Sequence, residues 1–169
     1  MIDYLLEGFD YDCWANKLWA NAFEAFDPEI LSPNRIAEID RKLPWAPEVP
    51  TAGKDRASEV FVHLLCAQRI WLSRCRPPVE VVPDALGMIE ALSVAWKELV
   101  AERDLSEIIA YQNSTGQAFQ RPFGEIVRHV LNHGTYHRGQ LREIAHALGV
   151  QPIPETDMIL FFMQKSATR

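Results

Sequence analysis

Basic side chains are the scarcer charged class in this chain of 169 residues: 17 Lys and Arg stand against 23 Asp and Glu, a formal net charge of −6 at pH 7. No Lys/Arg cluster occurs, so the basic face that neutralises phosphates is missing, which argues against nucleic acid as the main partner. Long apolar runs are missing too. Nothing approaches the roughly 18 consecutive apolar residues of a membrane span. The start, MIDYLLEGFDYDCWANKLW, interrupts its apolar positions with Asp3, Glu7, Asp10 and Asp12, unlike a secretory signal, so a cytoplasmic location is expected. Cysteine is limited to Cys13, Cys66 and Cys75, an odd number without the short pairs of zinc knuckles or redox motifs. These read as reduced, mostly buried thiols. Repeats and low-complexity segments are absent.

What is present is helical periodicity. A chain of this length holds one domain with a sizeable core and is short for two, so a single domain over 1–169 is expected. Residues Asp3 to Phe26 carry Tyr4, Tyr11, Ala15, Leu18 and Ala22 on one helical face and stop where Pro28 bars continuation. The segment Leu31 to Asp55, with Pro33, Pro44, Pro47 and Pro50, reads as a long crossover with one short helical turn at most. A second helix is expected from about Asp55 to Cys75, before Pro77-Pro78. A third starts near Pro83 and runs to about Arg103. Between it and a last helix, Phe123 to Leu148, lie β-prone residues around Ser-Thr-Gly, which predict a loop or small hairpin. Gly149 supplies the helix stop, and the apolar tail PIPETDMILFFMQK is expected to pack back as a short helix. Four long amphipathic segments predict an all-α four-helix bundle, an architecture that often places metal sites on inward-facing side chains.

The last helix, VRHVLNHGTYHRGQLREIAHALG, carries His129, His133, His137 and His146, four of the five histidines. At about 100° per residue, His137 lies roughly 40° from His133 and one turn along, so both can reach one ion. His129 shares the stripe but is separated from His137 by about 12 Å of axis, too far to share a metal with it. Spacing therefore permits either His129 with His133 or His133 with His137. A catalytic divalent site with about three protein ligands needs one more from elsewhere. The remaining histidine, His63, sits among apolar residues in VFVHLLCAQRIW, with Glu59 one turn earlier as a supporting carboxylate or alternative ligand. Gln140 projects about 20° from His133, onto the histidine face. Arg138 and Arg142 project away, toward a solvated or subunit-facing edge, and His146 reads as structural or exposed. Gly134 follows His133 directly, where a His-Glu-x-x-His protease would carry its general base, so that chemistry is not expected. Gly134 and Gly139 each cost about 1 kcal/mol of helix propensity, for which close approach of another helix is the expected reason.

The stretch HVLNHGTYHRGQL resembles the signature of the DinB-like proteins, the superfamily that includes bacillithiol S-transferases and mycothiol-dependent maleylpyruvate isomerase. YDCWAN near the N-terminus and HLLCAQRIWLSR resemble that family's first-helix and second-helix motifs, and the similarity extends over most of the chain. The resemblance implies an up-down-down-up four-helix bundle, often a homodimer, with one divalent metal, commonly zinc or nickel. Matched motif by motif, its ligands are His63, His133 and His137. It further implies an enzyme joining a low-molecular-weight thiol to an electrophilic substrate, and on their placement Gln140, Tyr136 and Glu59 are the candidates to tune its site. A metal-dependent hydrolase using an activated water is the alternative, and a non-enzymatic stress-related metal-binding protein a third reading.

Overall fold

The structure, a computed structural model, describes residues 2–42, 52–77, 84–113 and 115–167. Its elements run in the order α1 (Ile2–Phe26), α2 (Pro33–Lys42), α3 (Gly53–Cys75), α4 (Ala85–Glu102), β1 (Ile108–Gln112), β2 (Ala118–Pro122), α5 (Phe123–Leu148) and α6 (Met158–Ala167). The four long helices close a ring in which α3 packs most extensively on α5 and α1 on α4, completed by α1 with α5 and α3 with α4. An all-α bundle with one small hairpin results, as the periodicity predicts.

The core is built around Trp19, Trp96, Phe9, Phe23, Phe61 and Phe123, each less than 2% exposed. Phe9 stacks on Trp96 at 5.4 Å between ring centroids, which ties α1 to α4. Burying a large apolar side chain stabilises the fold by roughly 1.5–3 kcal/mol, so these rings dominate the packing of α1, α3 and α4. No described helix is long and apolar enough to cross a membrane. Cys66 and Cys75 are buried, Cys13 is half-buried, and all three are free thiols.

Two local expectations are corrected. The crossover holds a full ten-residue helix, α2, rather than a single turn. Pro33 occupies its first position, where a missing N–H costs nothing, Ser32 Oγ accepts from Arg35 N at 3.4 Å, and Ile36 and Ile39 are buried. Pro44, Pro47 and Pro50, which suggested a loop, lie outside the described residues, as do Pro78 and Pro83. The inward face of α1 differs in part: Tyr11 and Ala15 are buried as expected, but Tyr4 is 75% exposed, Leu18 and Ala22 are half-buried, and Phe9, Asp12, Asn16, Trp19 and Phe23 are buried as well. That face includes a carboxylate and an amide because, as shown below, both find partners across the bundle.

The remaining boundaries follow local chemistry. Asp84 caps α4 by accepting from Gly87 N at 2.7 Å. The hairpin pairs Ile108 with Pro122 through Gln112 with Ala118 and turns at Gly116, whose φ of 81° favours glycine. Gly149, at φ 76°, ends α5 in a left-handed cap with its N–H shared between Ala145 O and His146 O. The tail forms α6, which seats Phe161 against Tyr11 and Trp14 of α1 and is fastened by Lys165 to Glu7 at 2.9 Å.

Candidate metal centre

The contact between α3 and α5 brings His63 to the two histidines one turn apart on α5. One ring nitrogen from each of His63, His133 and His137 lies within 4.8 Å of the others, a set that can hold a metal ion. His133 Nε2 and His137 Nε2 are 3.1 Å apart. Two nitrogens at about 2.0–2.1 Å from one ion lie about 2.9 Å apart at a right angle and about 3.4 Å apart in a tetrahedron, so this separation fits a shared divalent cation. Of the two pairings that spacing allows, the structure gathers His133 with His137. His129 lies along the stripe, its ring 5.6 Å from that of His133 and edge-on to Trp71 at 5.0 Å.

Electrostatics favour the neutral, ligating form of all three imidazoles. Burial first, and then His137 and Arg56, push the His63 pKa down to about 4. Burial, with His137, His63 and His129 adding to it, pushes His133 down to about 3. His137 is lowered mainly by burial, which outweighs the upward effect of its hydrogen bond to Gln140. An imidazole that is already deprotonated near neutral pH binds a cation without first losing a proton.

Gln140 occupies the position its projection indicates. Its Oε1 lies 2.8 Å from His137 Nδ1. An amide oxygen only accepts, so Nδ1 carries the proton and Nε2 is left as the ligating atom; this is the usual way a protein sets a histidine tautomer. Gln140 Nε2 in turn donates to the Tyr136 hydroxyl at 3.1 Å. Tyr136 is 63% exposed, at the rim. Glu59 is half-buried with its carboxylate 4.0 Å from the Arg56 guanidinium, and it is not part of the gathered ligand set. His146 is exposed on the last turn of α5.

Arg138 corrects the sequence reading most clearly. Instead of facing a solvated edge it is 3% exposed, paired with Asp12 and donating to Asn16 Oδ1 at 2.9 Å. Helix α5 is covered on two sides, by α3 along the histidine stripe and by α1 beyond it, so the face turned from the histidines is also interior. The sequence signal was Asp12 and Asn16, one turn apart within an otherwise apolar stretch of α1. Gly134 has the expected close neighbour: a Cβ there would run into the Asp12 carboxylate and come within 3.0 Å of Arg138 Nη1. Gly139 does not, since a Cβ there meets nothing within 4 Å. Arg142 pins the C-terminal segment through Pro154 O at 3.4 Å and Glu155 at 3.2 Å. Arg56, near enough to depress two of the histidines, was also missed; it sits two helical turns before His63 on α3.

The chain is 23% identical to Protein DinB of Bacillus subtilis (strain 168) over an alignment of 186 residues that covers 98% of each protein. No solved structure matches it. The sequence model of the DinB family matches residues 1–166, spanning the α1 motif, the His63 helix and the His133/His137 helix together, and the chain therefore belongs to the DinB family.

Proposed function

We propose that this protein is a divalent-metal-dependent enzyme of the low-molecular-weight thiol S-transferase class, with His63, His133 and His137 as metal ligands. The observation that carries the reading is the ligand set itself. Three imidazoles converge, His137 buried and His63 and His133 half-buried, and among the described residues no Cys, Asp or Glu joins them as a fourth ligand. Three protein ligands leave coordination positions for a small molecule, the pattern of catalytic rather than structural sites. Soft thiolates and imidazoles together suit zinc or nickel.

A divalent cation held there would lower the pKa of a bound thiol, supplying thiolate near neutral pH. The thiolate sulfur then attacks an electrophilic carbon; the S–C bond forms as the bond to the leaving group breaks, and the leaving group departs with that electron pair and takes up a proton. The chain's own groups have defined tasks in this scheme. Gln140 keeps His137 Nε2 directed at the site. Tyr136, whose oxygen accepts from Gln140, retains its own proton to offer to the leaving group at the rim.

Elemental analysis of purified protein, followed by a thiol-consumption assay with a generic aryl halide, tests this. About one ion per chain is expected, with thiol loss that disappears in His137→Ala. Ester or lactone hydrolysis without thiol, equally dependent on His137, would instead assign a metal-dependent hydrolase. Metal content below about one ion per two chains, with a triple alanine variant at positions 63, 133 and 137 that folds normally, would dismiss the metal reading.

A further inference from the structure

A second buried polar cluster lies on the other side of α5 from the histidines. Asp12 Oδ1 accepts from Arg138 Nη1, while Asp12 Oδ2 accepts from Asn16 Nδ2 at 2.9 Å and from Gln68 Nε2 at 2.6 Å. Arg138 Nη2 donates onward to Thr135 Oγ1 at 3.1 Å, and its guanidinium sits over the Tyr11 ring. Asp12, Asn16, Gln68 and Arg138 are all less than 5% exposed. One carboxylate of α1 thus collects donors from α1, α3 and α5, and the last two are the helices that carry the converging histidines. The connection is close in sequence as well as in space. Arg138 follows His137, Gly134 follows His133, and Gln68 lies about 7.5 Å of helix axis beyond His63.

We propose that Asp12 is the register pin of the metal site: through Gln68 and Arg138 it fixes α3 against α5, and so sets the separation of His63 from His133 and His137. The proposal rests on the metal-site reading above. Asp12, Gln68 and Arg138 are positioning residues; none belongs to the ligand set. Two physical arguments support this role. Apolar packing between helices resists separation but tolerates small slides, and a buried ion pair seldom adds stability over a well-packed apolar replacement. Charge-assisted hydrogen bonds from three directions supply orientation, and a metal site needs its ligands held to within about 0.5 Å. The second argument is Gly134. Helix α5 forgoes helix propensity at the turn between its two ligands, and the space so made is filled by the Asp12 carboxylate.

The test compares Gln68→Leu, which cuts only the α3 arm, with Asp12→Asn and with Ser58→Ala. Ser58→Ala removes a buried hydrogen bond of the same helix, to Ile30 O at 2.7 Å, that does not reach α5. Zinc affinity is read by competition with a chromophoric chelator, and site geometry by the visible spectrum of the cobalt-substituted protein. Gln68→Leu and Asp12→Asn should bind zinc about tenfold or more weakly with an altered cobalt spectrum, and Ser58→Ala within about twofold of wild type, although all are less stable. Crystal structures of the metal-free wild type and Gln68→Leu give a readout independent of metal. The His63 ring, with centroids now 5.3 Å from His133 and 4.7 Å from His137, should move by about 0.5 Å or more. Zinc affinity in Gln68→Leu matching Ser58→Ala, with unmoved rings, would overturn the pin and leave the metal reading intact. Wild-type protein that takes up no zinc while the rings still move would do the reverse. Should Asp12→Asn fail to fold, Gln68→Leu decides.

Discussion

Two glycines five residues apart in α5 should respond to the same substitution with opposite sign. Alanine is favoured over glycine in a helix interior by about 1 kcal/mol, and that gain is available at both Gly134 and Gly139. At Gly139 a Cβ meets nothing within 4 Å, so Gly139→Ala should keep the gain. At Gly134 the Cβ lands on the Asp12 carboxylate, which cannot swing aside without leaving Asn16, Gln68 and Arg138. The Asp12 and Arg138 side chains are 5% and 3% exposed, so parting them leaves both charges without water. Breaking such a buried pair costs about 3–5 kcal/mol, so Gly134→Ala should be about 2–4 kcal/mol less stable once the propensity gain is subtracted. For a chain of this size, 1 kcal/mol shifts Tm by about 2–4 °C. Melting of the helical circular dichroism signal should therefore fall by about 5–15 °C in Gly134→Ala and rise by about 2–4 °C in Gly139→Ala. A Gly134→Ala protein that melts at or above the wild-type temperature would refute the reasoning, because it would mean that the carboxylate yields freely.

Three further outcomes are expected. Gln140→Leu removes the 2.8 Å contact that sets the His137 tautomer, so the fold should survive while zinc binding weakens about 10- to 100-fold; an unchanged titration would count against that role. Metal-free protein should lose stability as pH falls below 6.5. His63 and His133 have folded pKa values lowered to about 4 and about 3, so across that window the unfolded chain binds protons that the folded one does not. Melting temperatures at pH 7 and pH 5 check this, the lowered carboxylates Asp27 and Asp104 acting only at still lower pH; a flat profile that does not change in His63→Leu would contradict it. Burial pushes the Cys75 thiol up to about 11, so thiol reagents at neutral pH should reach it only after denaturation, and rapid labelling of Cys75 in the native state would show that α3 opens at its C-terminal end.

Much of the fold was legible because its signals are local. The limits of α5 were set by Phe123 after Pro122 and by the left-handed Gly149, and the structure places both as the sequence reading does. The hairpin followed from β-prone residues on either side of Gly116. Helix α2 was missed because the four prolines between Leu31 and Asp55 were read together as a crossover, whereas Pro33 stands at the first helical position, where proline is tolerated. The histidine stripe was legible as a stripe, since residues four apart share a helical face. Which two of its members would meet His63 was left open by spacing, and it was the family resemblance that selected His133 and His137.

The network around Asp12 was not legible, and Arg138 shows why. A helical projection says which side chains share a face but not what covers that face. Arg138 was placed opposite the histidines and so toward water; the structure puts α1 there. Asp12 joins Gln68 across 56 positions and Arg138 across 126, and the buried polar groups of each are met by residues of other helices. The sequence by itself determined the four long helices, the glycine stop of α5 and the histidine spacing, because those depend on residues within one or two turns. Only the tertiary structure decided that His63 meets His133 and His137 and which polar residues are buried together, because desolvation and pairing energies belong to contacts between distant segments.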